Sequence, residues 1–197
     1  MIAGLIELQR LKRLERTGWL LRGMPAGTES VAAHSFGVSI TAMLLADELV
    51  DKGVAIDVCR VLRIALMHDW AEARVGDMPR TATEYFGAEE RKSAEKAAFG
   101  DIVAAMGDGD RYRELFVEYE ERQTLEARLV KAADIIDLLI EVLALERAGA
   151  RGLDEFWDVA SVSDFQLEDA ANDLVAGIIK SLLEERRHVI AGDLKFL

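Results

Sequence analysis

Apolar positions recur at helical spacing along most of the chain, and no stretch of any length alternates apolar and polar residues at period two. Leu5, Leu8, Leu11 and Leu14 predict an amphipathic helix over residues 2–16. Ser30 is placed to cap a helix through residue 51, with Val31, Val38, Leu45 and Leu49 as core positions. Asp57 is placed to cap a helix over 57–70. Residues 88–106 and 111–121 predict two charged helices separated by Gly107-Asp108-Gly109. The longest and most apolar helix covers 124–148 and ends near Gly149 and Gly152. Asp154 is placed to cap a short helix through Phe156 and Trp157, and a last amphipathic helix covers 165–188. Residues 17–29, with Gly18, Gly23, Pro25 and Gly27, and residues 76–83, with Pro79, read as loops. The expected fold is all-α.

Composition narrows the setting. A chain of 197 residues with half its residues hydrophobic suffices for one substantial core, so a single domain over 1–197 is expected. The formal net charge of −12 argues against a nucleic-acid polymer as partner. A small anion remains compatible, because a pocket can hold local arginine and metal charge. The single cysteine, Cys59, cannot form an intramolecular disulfide and suits a reducing, cytoplasmic setting. Glu7 and Arg10 come too early for a signal peptide, and no apolar run approaches membrane length.

Candidate chemistry concentrates where the 57–70 helix ends. His68 and Asp69 follow the apolar run Val61-Leu62-Arg63-Ile64-Ala65-Leu66-Met67. Glu72 lies four residues after His68, on the same helical face, and Asp77 lies past Gly76, where the helix is expected to stop. In the long helix Asp134, Asp137 and Glu141 form a narrow polar stripe on an otherwise apolar cylinder. That stripe is either a solvated face or the place where a carboxylate meets a buried metal, since a carboxylate in apolar surroundings needs a partner. His34 stands in the first turn of its helix, where a capping or packing role is the plain alternative to ligation. Two imidazoles and two carboxylates suit a divalent transition ion such as Mn, Fe, Co, Ni or Zn better than all-oxygen Mg or Ca coordination.

His34, then His68-Asp69, then Asp134 resembles the H…HD…D pattern of the HD-domain metal-dependent phosphohydrolases. Around it, Arg16-Thr17-Gly18-Trp19, Glu29-Ser30-Val31-Ala32-Ala33-His34-Ser35, His68-Asp69-x-x-Glu72-x-x-x-Gly76-Asp77 and Glu118-Tyr119-x-x-x-x-Thr124-x-Glu126-Ala127 occur in order. Together they resemble the 5′-deoxynucleotidase branch, over roughly residues 5–150, with the helices over 154–188 packed on that core.

The resemblance implies a single-domain helical bundle in which His34, His68, Asp69 and Asp134 hold a divalent transition metal (Mn, Co, Fe, Ni or Zn). It implies that Glu72 orients the attacking water and that Asp77 assists beside the substrate. Arg16 would hold the 5′-phosphate, and Trp19 would line the sugar site and crowd a 2′-hydroxyl. One departure is Ala33, where the family usually has an acid that would complete a capping box with Ser30. The activity implied is hydrolysis of deoxyribonucleoside monophosphates. The alternatives are an HD reaction on a dNTP or (p)ppGpp, or a non-catalytic HD-fold regulatory module. The apolar girth of the long helix and the extra C-terminal helix suggest a homodimer.

Overall fold

A computed structural model describes residues 1–192, with the side chains of Arg80, Ser161 and Val162 set aside, so the last five positions of the expected 1–197 domain lie outside the described residues. The helices in chain order are α1 (Ile2–Leu8), followed by a 3-10 helix (Gln9–Lys12), α2 (Thr17–Leu20), α3 (Val31–Asp51), α4 (Val58–Met67) and α5 (Glu72–Val75). They continue with α6 (Arg80–Phe86), α7 (Ala88–Ala104), α8 (Gly109–Glu121), α9 (Leu125–Arg147), α10 (Asp154–Val162) and α11 (Asp169–Ala191). Among the described residues there is no strand beyond an isolated bridge between Glu15 and Ser30.

Helices α3, α4 and α9 pack on one another at the centre, and α8 and α11 cover them. Val38, Leu45 and Leu49 of α3, Val61 and Ile64 of α4, and Leu129 and Ile136 of α9 are buried in one core. Ala42, Ala46, Ala65 and Ala133 sit among them and let the helix axes approach closely. A second cluster joins Trp19 to Leu139, Val142, Leu153 and Trp157, and so ties the C-terminal helices to the N-terminal loop.

Two of the sequence-placed caps, Ser30 and Asp57, form, and Thr124 caps as well. Ser30 Oγ accepts from the Ala33 amide at 3.2 Å, Asp57 Oδ1 from Arg60 at 3.0 Å, and Thr124 Oγ1 from Ala127 at 3.2 Å. Ala33 therefore removes the reciprocal half of a capping box and leaves the cap itself in place. The Glu118–Glu126 motif proves to be a fastening. Buried Glu118 accepts from Arg60 Nε at 2.9 Å and from the Thr124 hydroxyl, while Glu126 accepts the Asp57 amide at 2.9 Å. The starts of α4 and α9 are thus locked to the end of α8.

Several expected boundaries are corrected. The first helix does not reach Arg16, because the chain extends there: the Arg16 amide donates to the Glu29 carbonyl at 3.0 Å and the Val31 amide to Leu14 at 2.8 Å. Loop 17–29 contains the short helix α2, and the loop after Gly76 closes early, with Pro79 opening α6. Asp154 does not cap; Leu153 holds that position and Asp154 pairs with Arg186. The last helix begins at Asp169 and not at 165, since Gln166 and Asp169 take positive φ, and it ends on Gly192 at φ +77°. The 57–70 helix stops at Met67, and a turn carries the chain to α5. His68 and Glu72 are therefore not successive turns of one helix, contrary to the sequence expectation.

Candidate metal centre and cleft

The break after Met67 aims two side chains inward. His68 Nδ1 donates to the Ala65 carbonyl at 2.7 Å, which fixes the ring and leaves Nε2 as its free position. His34, in the first turn of α3, and Asp134, in α9, reach the same place. Ligand atoms of His34, His68 and Asp134 all lie within 4.8 Å of one another. Asp69 joins them, with Oδ2 3.1 Å from His68 Nε2 and 3.9 Å from His34 Nε2. The four residues expected as ligands converge from two helices, α3 and α9, and from the turn that follows α4.

The donor set fits a divalent transition ion. His68 Nε2, Asp69 Oδ2 and Glu72 Oε2 are buried without a hydrogen-bond partner, which is costly unless a cation completes them. His68 Nε2 stands 3.1 Å from the Asp69 carboxylate oxygen, a spacing that suits positive charge between them. His34 shows what substitutes in a metal-free chain. Burial and Arg16 press its pKa down, but hydrogen bonds to Asp134 (3.1 Å) and Asp137 (2.8 Å) outweigh them and lift it to about 9. Burial alone would raise the Asp134 carboxyl, yet Lys131 and His34 hold it well below the usual range.

A cleft of about 590 Å³ opens over this cluster. Arg16, Trp19, Asp77 and Glu72 all line it. Arg16 Nη1 lies 3.7 Å from Asp69 Oδ2 and 3.9 Å from Asp77 Oδ1. Asp77 accepts the Thr17 amide through its side chain, and its carbonyl accepts the Thr17 hydroxyl at 2.7 Å. It therefore fastens the segment that carries Arg16 and Trp19. Burial, with Asp69 and Asp77 beside it, pushes Glu72 up to about 10. Trp19 is 1% exposed, its Nε1 donates to Glu29 Oε2 at 2.7 Å, and its ring tilts against Phe156 with centroids 4.7 Å apart.

Sequence reasoning left several of these neighbours without a role. Asp137 belongs to the ambiguous stripe, but it orients His34, as outer carboxylates commonly do for ligating imidazoles. Its approach needs Gly37: a Cβ there would lie 2.8 Å from the Asp137 Cγ and 2.9 Å from Oδ2. The i, i+3 spacing of Asp134 and Asp137 carried that signal. Tyr119 donates to Asp134 Oδ2 at a long 3.4 Å, and Lys131 Nζ stands 2.7 Å from the same oxygen. Helix α10, which offered no motif, supplies Glu155, Phe156 and Val159 to the cleft wall; nothing local in the sequence announces that long-range contact.

A family model described as HD domain matches residues 8–169. The chain belongs to the HD domain family. Among curated relatives, the protein named 5′-deoxynucleotidase HDDC2 from Danio rerio is 35% identical over 188 residues, covering 93% of this chain and 86% of that protein. The 5′-deoxynucleotidase hdd1 of Schizosaccharomyces pombe is 32% identical, covering 94% of this chain and 89% of that protein. Among solved structures, a conserved hypothetical protein from Pyrococcus furiosus superposes with a TM-score of 0.79 at 39% identity, covering 95% of this chain and 99% of that one. These matches extend the HD-domain likeness beyond the motif-bearing core into the C-terminal helices.

Proposed function

We infer that this HD-domain protein is a metal-dependent 5′-deoxynucleotidase, hydrolysing deoxyribonucleoside monophosphates to deoxyribonucleoside and phosphate. The observation that carries the reading is the group of buried, unpartnered atoms on His68, Asp69 and Glu72 at a cleft shared with Arg16. The names of the curated relatives supply the substrate class.

In this reading His34, His68, Asp69 and Asp134 would hold a divalent ion, with Mn, Co, Fe, Ni and Zn all compatible with the donors. Such an ion lowers the pKa of its bound water and polarises the phosphate. Glu72 accepts the proton of the attacking water, for which its buried, unpartnered oxygen is suited. Arg16 presents a planar fork to two phosphoryl oxygens. Asp77, beside the substrate, holds the Arg16 segment by its bonds to Thr17. Trp19, fixed by Glu29 and Phe156, forms a rigid wall for the sugar. The water oxygen bonds to phosphorus, the bond to the 5′-oxygen breaks, and that oxygen takes up a proton, in exchange for the one given to Glu72, and leaves as an alcohol.

The assay is phosphate release by chelator-treated protein reloaded with each metal, over dAMP, AMP, dATP and ppGpp. Release from dAMP that requires a metal is expected. No release with any metal would return the chain to a non-catalytic regulatory module, and faster turnover of dATP or ppGpp would move it to another HD reaction.

The same reading takes the chain as one domain and as a cytoplasmic homodimer. Packing of α10 and α11 on α9 supports the first. Exposed Cys59 suits a reducing compartment. Among the described residues no helix is long and apolar enough to cross a membrane. Phe36, Ile40 and Leu44 lie exposed along α3, and Ile140 is exposed on its neighbour α9, an apolar face that fits a second copy. A monomer mass by light scattering would remove the dimer.

A further inference from the structure

A dianionic phosphate entering this cleft meets many carboxylates, among them Asp69, Glu72, Asp77 and Asp134 at the ligand cluster. Four cations also line it: Arg16, Arg22, Arg91 and Lys131. Two of these have carboxylate partners outside that group, since Arg22 pairs with Glu155 and Arg91 Nε with Glu95 at 2.7 Å. Arg16 and Lys131 are the two that stand against the ligand cluster. Arg16 approaches Asp69 and Asp77. Lys131 comes from α9, with its ammonium 2.7 Å from Asp134 Oδ2 and 6.0 Å from the centre of the Tyr119 ring.

An exposed i, i+3 ion pair on a helix would contribute little and mean little. This pair is placed differently. Asp134 is also bonded by His34, so Lys131 shares a carboxylate that the metal needs. A lysine there competes with any cation for Asp134, and as a fixed structural partner it would weaken the site that it adjoins. The competition disappears if the ammonium has a second acceptor in the cleft. Lysine suits such a move: a compact charge with three donors on a flexible stem. Its side chain is 31% exposed, which leaves it access to the cleft contents.

We propose that Lys131 is a phosphate-binding residue, which donates from its ammonium to a phosphoryl oxygen of the substrate and acts with Arg16. The proposal rests on the cleft being a phosphomonoester site, and deepens that reading by naming a residue to which neither motif nor comparison assigns a role.

The test uses inorganic phosphate as probe on the metal-loaded full chain, with metal affinity measured in parallel by chelator competition. Lys131→Met keeps the stem and removes the charge. Loss of one charged hydrogen bond predicts phosphate binding weakened about 10–100-fold. Metal affinity should hold or tighten, because the competitor for Asp134 is gone. Lys131→Arg should bind phosphate better than Lys131→Met. Unchanged phosphate affinity in Lys131→Met overturns the proposal, as does a fall in metal affinity large enough to account for the phosphate loss. The phosphate arm does not depend on turnover. Wild type that binds phosphate through Lys131 but releases none from dAMP would sink the nucleotidase reading and leave this one standing.

Discussion

Gly37→Ala tests whether Asp137 holds the metal site from behind. The added Cβ would stand 2.8 Å from the Asp137 Cγ, where ordinary contact begins at 3.4 Å, so the carboxylate must retreat by at least about 0.6 Å. Its bond to His34 Nδ1 is 2.8 Å long and would stretch to the limit of hydrogen bonding. Removing the outer partner of a ligating histidine typically costs 10–100-fold in metal affinity, about 1.4–2.7 kcal/mol. Alanine also favours a helix interior over glycine by about 1 kcal/mol, while overpacking costs about 1–3 kcal/mol. The melting temperature of the metal-free chain is therefore a balance of opposed effects, and metal affinity is the informative quantity. Chelator competition with Mn or Co measures it. In an Asp137→Ala background the clash is absent, so Gly37→Ala should add almost nothing there. Wild-type metal affinity in Gly37→Ala, or full additivity in the double variant, would refute the link from Gly37 through Asp137 to His34.

Other outcomes follow from the same geometry. Glu72→Ala should retain metal and lose about 10²–10⁴-fold in kcat; loss of metal with activity would make Glu72 a ligand. Trp19→Ala should raise kcat/KM for AMP relative to dAMP, and a preference that survives the change would place sugar selectivity elsewhere. His34 has its folded pKa raised from 6.5 to about 9, so its contribution to metal-free stability is complete below about pH 6.5 and is lost as pH rises through about 9. Thermal melts of chelator-treated protein across that window should show the decline, and a flat profile would contradict it.

What could be read from the sequence was set by residue chemistry and helix position. His34, His68, Asp69 and Asp134 are types with few inert reasons to sit in an apolar core together, and they do converge. Ser30 and Asp57 cap as expected because their short polar side chains precede apolar periodicity. The break after Met67 was not legible, since nothing in Met67-His68-Asp69-Trp70 forbids helix and the turn instead brings His68 and Asp69 to the cluster. Asp137 was ambiguous for a related reason: a polar stripe on a helix is solvated or buried according to what packs on it. Here that is α3 at Gly37. Phe156 could be placed in its helix but not in the cleft, because its contact with Trp19 joins residues far apart in the chain.

The charge balance of the cluster explains how so acidic a site can exist without its metal. Buried carboxylates need compensation, and a chain of formal net charge −12 supplies no general surplus of positive charge. Arg16 and Lys131 offset part of it in place. The remainder comes from protons: one on His34, lifted to about 9 between Asp134 and Asp137, and one on Glu72, pushed up to about 10 by burial and its acidic neighbours. A divalent ion brings the charge of those two protons. If the proposed ligand set holds, its entry would free the His34 nitrogen that faces Asp134 and let Glu72 ionise, so the exchange would leave the buried charge nearly unchanged. In the proposed site, then, the ion would exchange near neutral pH for charge already present in the fold, and Glu72 would ionise into its proposed role as the ion arrives. Calorimetric titration of metal in buffers of different ionisation enthalpy should find about two protons released per ion. Release near zero would mean that the carboxylates are neutralised in some other way, and that Glu72 is already ionised before the metal arrives.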